Sequence, residues 1–143
     1  MSSTHNSAAL FDLLVPLATS SVCVVNVPKL KGSETYAHVV VPDLEPIVVH
    51  TSPRGGRRSQ AARTIIALAT GLHRAIELRS THAVLEVDDP HVRGMLRGDY
   101  VSRATHREWA YLQQAIGRAS AFGTRVYSAG VDGLVRLGEL LLE

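Results

Sequence analysis

The segment from Thr81 to Tyr100, "THAVLEVDDPHVRGMLRGDY", constrains the chain more than any other stretch. It opens as an apolar run of the kind a central strand buries, then stops at two adjacent acids, Asp88 and Asp89. Pro90 follows at once, and proline is pre-set for the first turn of a helix while it cannot serve a central strand. A strand over 82–88 therefore passes straight into a short helix over 90–96. Acid pairs at the end of a central strand are a common way to hold a divalent cation against a phosphate. Whether Asp88 and Asp89 can do so depends on the other ligands that reach them.

The flanking sequence supplies the rest of an alternating α/β pattern. Residues 21–27, "SVCVVNV", form a β-branched run suited to a central strand. A turn over 28–34 leads to strands over 35–42 and 46–51, and their close spacing predicts an antiparallel meander. A basic loop, "SPRGGRRS" (52–59), precedes a long helix capped by Ser59 and ending near Arg79. Its apolar stripe is Ala62, Ile65, Ala69, Leu72 and Ile76, with Arg63, Thr70, Arg74 and Glu77 off the stripe. After the Pro90 helix, Thr105 opens a further helix striped by Trp109, Leu112, Ile116 and Ala119, with Phe122 near its end and Gly123 at its C-cap. Residues 125–130 form a fifth strand, and 131–143 read as a closing helix. The predicted order is β-β-β-α-β-α-α-β-α in one domain over 21–143, behind an N-terminal extension of residues 1–20 that carries a short helix.

Composition narrows the classes. With 143 residues, 45% of them hydrophobic, the chain is long enough for one substantial core. A formal charge of +2 does not imply a polyanionic partner by itself. The basic residues are nearly all arginine, Lys29 and Lys31 being the two lysines, which suggests a GC-rich genome such as that of an actinobacterium or its phages. The single cysteine, Cys23, lies in the first strand, where a buried inert thiol is expected. The apolar stretch "AALFDLLVPLA" (8–18) is too short to span a bilayer, is interrupted by Asp12 and Pro16, and has no basic residue before it. A cytoplasmic protein without membrane attachment is expected.

This element order, together with "ATGLHRAIELRSTHAVLEVDDPHVRGMLRGDY" and "THREWAYLQQAI", resembles the type 1 ribonuclease H family over about residues 21–142. The resemblance implies a ribonuclease H-like α/β fold with a five-stranded mixed sheet. It also implies phosphodiester chemistry on two Mg²⁺ ions held by four carboxylates. Carried over position by position, that ligand set is degenerate here. The first aspartate falls on Asn26. The helix glutamate falls on Thr64, or on Arg63 with a shift of one. The aspartate at the end of the central strand falls on Asp88, and the last falls near Arg136 or Leu137, with Asp132 and Glu139 off register. The histidine of the loop before the family's last helix has no counterpart in "SAGVDG". An arginine in a ligand position would repel a dication. Asp88 and Asp89 are weak metal candidates, since adjacent strand residues point to opposite faces. Asp89 is better read as the cap of the Pro90 helix.

The resemblance places several arginines where the family approaches nucleic acid: Arg54, Arg57 and Arg58 in the basic loop, and Arg97, Arg103 and Arg107 before and at the start of the Trp109 helix. They are the candidate phosphate contacts. The seven histidines show no ligand spacing on a helix, although His91 and His106 lie within reach of the degenerate site. Leu10, Phe11, Leu13 and Leu14 at one end, and Leu140 to Leu142 at the other, are apolar enough to pack together or to meet another chain. The expected function is that of a pseudo-nuclease, needing no cofactor, which binds nucleic acid or a protein partner. Two alternatives stand beside it: a divergent Mg²⁺-dependent nuclease using Asp88, Asp89 and a further carboxylate such as Glu86 or Asp132, and an interaction module that acts through its apolar termini, with homo-oligomers among its products.

Overall fold

Two parallel strands organise the molecule, β1 (Val22–Val27) and β4 (His82–Val87), each a largely apolar run interrupted at its fifth position. In the computed structural model, which describes residues 22–42, 44–51, 58–100, 102–130 and 133–138, they sit side by side at the centre of a six-stranded sheet. β2 (Tyr36–Val40) and β3 (Ile47–His50) extend it on one side as the predicted antiparallel meander. β5 (Arg125–Gly130) and β6 (Gly133–Leu137) extend it on the other, β5 parallel to β4 and β6 antiparallel to β5, in the order β3-β2-β1-β4-β5-β6. The helices are α1 (Gln60–Glu77), α2 (Pro90–Leu96) and α3 (His106–Ala121), the last preceded by a 3₁₀ turn at Arg103–Thr105.

Two sequence expectations are corrected here. The sheet has six strands rather than five, and the segment read as a closing helix contains β6. Gly130 and Gly133 face each other across the β5–β6 pair, so only two residues separate the strands. Gly133 has φ +130°, a conformation open to glycine and rarely to other residues. A reversal that tight favours a hairpin over a helix start. Phe122, expected near the end of α3, stands at its C-cap and is 67% exposed. The N-terminal extension and residues 139–143 lie outside the described residues.

The three described helices pack on one face. Ile65, Leu68 and Leu72 of α1, Val92 and Met95 of α2, and Leu112 and Ile116 of α3 bury themselves against Cys23, Val25, Val27, Leu85 and Val87. Burial of each large aliphatic side chain contributes about 2 kcal/mol. α1 approaches so closely that a Cβ at Gly71 would collide with Val25. The Ser59 hydroxyl caps α1 by accepting from the Ala62 N–H at 3.1 Å, as its place in the sequence predicts. Cys23 is fully buried, and burial pushes its thiol up to about 12. The second face of the sheet carries a smaller apolar cluster, Val22, Val24, Val40 and Val84, packed against Tyr127, Ala129 and Leu134. No described helix is long and apolar enough to cross a membrane.

Candidate functional site

β1 and β4 run in register from Val22 beside His82 to Val27 beside Val87. Side chains alternate along a strand. Val25 and Val27 therefore enter the helix-side core, while Asn26 points with Val22 and Val24 to the second face. Glu86, its register neighbour, points the same way. Asn26 is fully buried, and its Nδ2 donates to Glu86 Oε1 at 2.5 Å. Its Oδ1 is also buried, and among the described residues nothing donates to it. On the other side of Asn26 lies half-buried His38 of β2.

Glu86 is half-buried, and its carboxyl is raised to about 6. Burial is the main cause; the Asn26 bond opposes it, the Asp88 charge adds to it, and Arg93 opposes it. Arg93 is fixed by two donations to Val87 O, from Nε at 3.3 Å and Nη2 at 2.9 Å. The two aspartates differ in their roles. Asp89 is buried, and its Oδ1 accepts from the backbone N–H groups of His91 at 2.8 Å and Val92 at 3.2 Å, capping α2 ahead of Pro90. Asp88 donates its backbone N–H to Val27 O at 3.2 Å, which closes the β1–β4 pair, and its charge acts on Glu86.

The positions mapped from the family pattern are not gathered together. Asn26 and Asp88 share the end of the β1–β4 pair. Thr64 is buried on α1, on the opposite side of the sheet, with its Oγ1 donating to Gln60 O at 2.8 Å. Arg63 donates to Glu34 O at 2.7 Å. Arg136 lies on β6 opposite Tyr127, three strands from Asn26, and Leu137 packs half-buried against the main core. Asp132, Glu139, Arg54 and Arg57 lie outside the described residues. Arg58 pairs with Glu108 at 3.3 Å and Arg97 with Asp99 at 2.9 Å, while Arg103 and Arg107 are exposed. His91 is engaged by Tyr100, whose hydroxyl lies 2.9 Å from Nδ1 and donates to His91 O at 2.6 Å. His106 is exposed on α3. Trp109 packs half-buried against the core.

Glu86, weighed in the sequence only as a spare carboxylate, is the residue that Asn26 engages. A signal for it exists: "VCVVNV" and "HAVLEV" each carry one strongly polar side chain at the fifth position, and parallel strands starting together set those positions side by side. The pair does not fit the two ions that the resemblance implies. Two dications need several hard, charged oxygens close together. Here Asn26 contributes no charge and donates to Glu86, whose raised carboxyl disfavours ionisation, and Asp89 is engaged by the helix cap. Among the described residues, no three of His, Cys, Asp and Glu stand where one metal ion could be held.

Comparison with solved structures shows a ribonuclease H-like fold. The chain is similar to ribonuclease H1 of the halophilic archaeon Halobacterium salinarum NRC-1, with a TM-score of 0.53 and 16% identity over 75% of this chain and 82% of that one. It is also similar to the N-terminal ribonuclease H domain of a Mycobacterium tuberculosis protein solved as a fusion with maltose-binding protein, with a TM-score of 0.48 and 18% identity over 75% and 79% of the two chains. No family model and no curated protein matches the sequence.

Proposed function

With the ribonuclease H-like fold as premise, we propose that this domain is a pseudo-nuclease that works by binding nucleic acid and does not hydrolyse it. The observation that carries this reading is the Asn26–Glu86 hydrogen bond. At the end of the two central strands, where phosphodiester chemistry of this kind would need converging charged oxygens, an amide is bonded to a half-buried carboxyl of raised pKa. The scaffold for approaching a nucleic acid is nevertheless kept. The Arg58–Glu108 ion pair ties the start of α1 to the start of α3, so that exposed Arg103 and Arg107 share one end of the molecule with Arg58. Arginines clustered in this way suit phosphate contacts, which supply affinity without sequence preference.

The rival reading, a divergent metal-dependent nuclease on Glu86, Asp88 and Asp89, finds Asp89 already accepting two backbone hydrogen bonds at the start of α2. The test is binding of an RNA–DNA hybrid by fluorescence anisotropy across a salt series, with cleavage followed in the same samples in Mg²⁺ and Mn²⁺. Salt-dependent binding without cleavage is expected. The double variant Arg103→Ala/Arg107→Ala should weaken binding and flatten the log–log salt slope by roughly 2. Cleavage that Asp88→Asn or Glu86→Gln abolishes would sink the pseudo-nuclease reading, and an absence of binding at low salt would remove nucleic acid as the ligand.

A further inference from the structure

The second face of the sheet is buried, although no described element lies over it. Val40, Val24 and Val84 stand in one row across β2, β1 and β4. Val24 and Val84 are 0% exposed, and so is Asn26, two residues further along β1. The three described helices bury their apolar side chains against the other face. The margins of the second face show how it looks where it is open to water. Val48 of β3, beside His38 in the register, is 48% exposed, and Tyr127 of β5 and Leu134 of β6 are only half-buried.

The buried patch has the footprint of one helix. From Val22 to Asn26 it runs four residue steps, about 13 Å, and from Val40 to Val84 it spans three strands, about 10 Å. An α-helix with its side chains is about 10–12 Å across, and about nine residues of it rise 13 Å. The side chains are buried within a single chain, so what covers them belongs to that same chain.

Few segments outside the described residues could serve. Residues 52–57, "SPRGGR", contain no large apolar side chain. Residues 139–143 follow edge strand β6, three strands or about 14 Å from β1, and five residues of helix rise only about 7 Å. Residues 1–21 lead directly into Val22, the first residue of the patch. Within them, "AALFDLLVPLA" (8–18) is long enough, and Leu10, Leu13, Leu14 and Leu17 recur at the i, i+3, i+4 and i+7 spacing of one helix face. Asp12 and Pro16 fall off that stripe. Thr19, Ser20 and Ser21 supply a short polar link for a reversal onto β1.

We propose that residues 8–18 fold back along β1 and β4 as an intramolecular cover of the second face. Leu10, Leu13, Leu14 and Leu17 then pack on Val22, Val24, Val40 and Val84. The cover extends to the end of β1 that holds Asn26, and it closes the approach to Asn26 from that side of the sheet. This cover stands whether the domain binds nucleic acid, cleaves it or does neither.

The test is methyl NOE spectroscopy on the whole protein with ¹³C-labelled Leu and Val methyl groups. Cross-peaks are expected between Leu10, Leu13, Leu14 or Leu17 and Val24 or Val84. Their absence overturns the proposal, and so do cross-peaks to Val24 and Val84 from Leu140, Leu141 or Leu142 alone. A mixture of labelled and unlabelled protein separates the sources. Cross-peaks that arise only between molecules would assign the face to a second copy and overturn the proposal as well. The double variant Leu13→Asp/Leu14→Asp gives an independent readout. It should open the face and speed exchange of the Asn26 side-chain amide protons roughly tenfold or more, while Asp12→Ala leaves the rate unchanged. Unchanged exchange in the folded double variant would contradict the cover; if that variant does not fold, the wild-type cross-peaks decide.

Discussion

The two faces of the sheet use the same strands for different ends. On the helix side, β1 and β4 present Cys23, Val25, Val27, Leu85 and Val87, all buried under α1, α2 and α3. One residue out of phase, the same strands present Val22, Val24 and Val84, and then Asn26 bonded to Glu86. Further along the second face, His82 stacks on Tyr127 with ring centroids 5.9 Å apart, its imidazole lowered by burial and by Arg125 and Arg136. The helix-side layer needs only apolar volume, and many sequences could supply it. The second face holds buried polar groups whose partners lie on other strands, 60 positions apart in the case of Asn26 and Glu86. Such groups are costly unless matched, and they carry the chemistry specific to this chain.

The comparison can be broken most severely on the helix side. Leu72→Ala removes a fully buried side chain between α1 and the sheet and should lower the unfolding free energy by about 3 kcal/mol in urea titrations. A loss below 1 kcal/mol would mean that this layer is not the stabilising one. On the second face, Asn26→Asp sets a buried carboxylate against Glu86 and should cost about 2 kcal/mol at pH 7. Much of that loss should return as the pH falls and the two carboxyls share a proton; a pH-independent loss would point to altered packing instead. The two aspartates sharpen the contrast further. Asp89→Ala should cost about 1 kcal/mol by removing the α2 cap, while Asp88→Ala stays within about 0.5 kcal/mol. Equal losses would refute the division of roles between them.

The smallest effect follows from the Glu86 pKa. Its carboxyl is raised from 4.5 to about 6, so the folded state holds the proton more tightly than the unfolded state. The resulting stabilisation is fully present below pH 4.5 and is lost as pH rises through about 6. Because Glu86 is only partly buried, the swing should stay below about 1 kcal/mol. Denaturant melts of wild type and Glu86→Gln across that window should differ in slope, and parallel curves would contradict the raised pKa.

The architecture was legible wherever local rules decide. β-branched runs located the first five strands, Ser59 and Asp89 marked their helices, and the apolar stripe of α1 picked out the buried Ala62, Ile65, Ala69 and Leu72. β6 was not legible, because "GLVRL" is short and leucine-rich and fits a helix as well as a strand; the tight reversal between Gly130 and Gly133 decides it. Phe122 stands near the end of α3 as its place in the sequence implies, and it is exposed because at the C-cap the helix no longer faces the core. The candidate site was legible by halves. Asn26 and Asp88 were named from the family pattern, but their relation to Glu86 depends on strand register, which no local periodicity contains.

The central claim is that an amide–carboxyl bond occupies the end of β1 and β4 in place of a metal-binding cluster. Titration of ¹⁵N-labelled protein with Mn²⁺ tests it most directly, because a bound paramagnetic ion broadens the amide signals around it. With Mn²⁺ equimolar to protein, the signals of Asn26, Glu86 and Asp88 should broaden no more than those of exposed acids elsewhere, such as Glu34 and Glu45. Selective broadening at Asn26, Glu86 and Asp88 that disappears in Glu86→Gln would contradict the account.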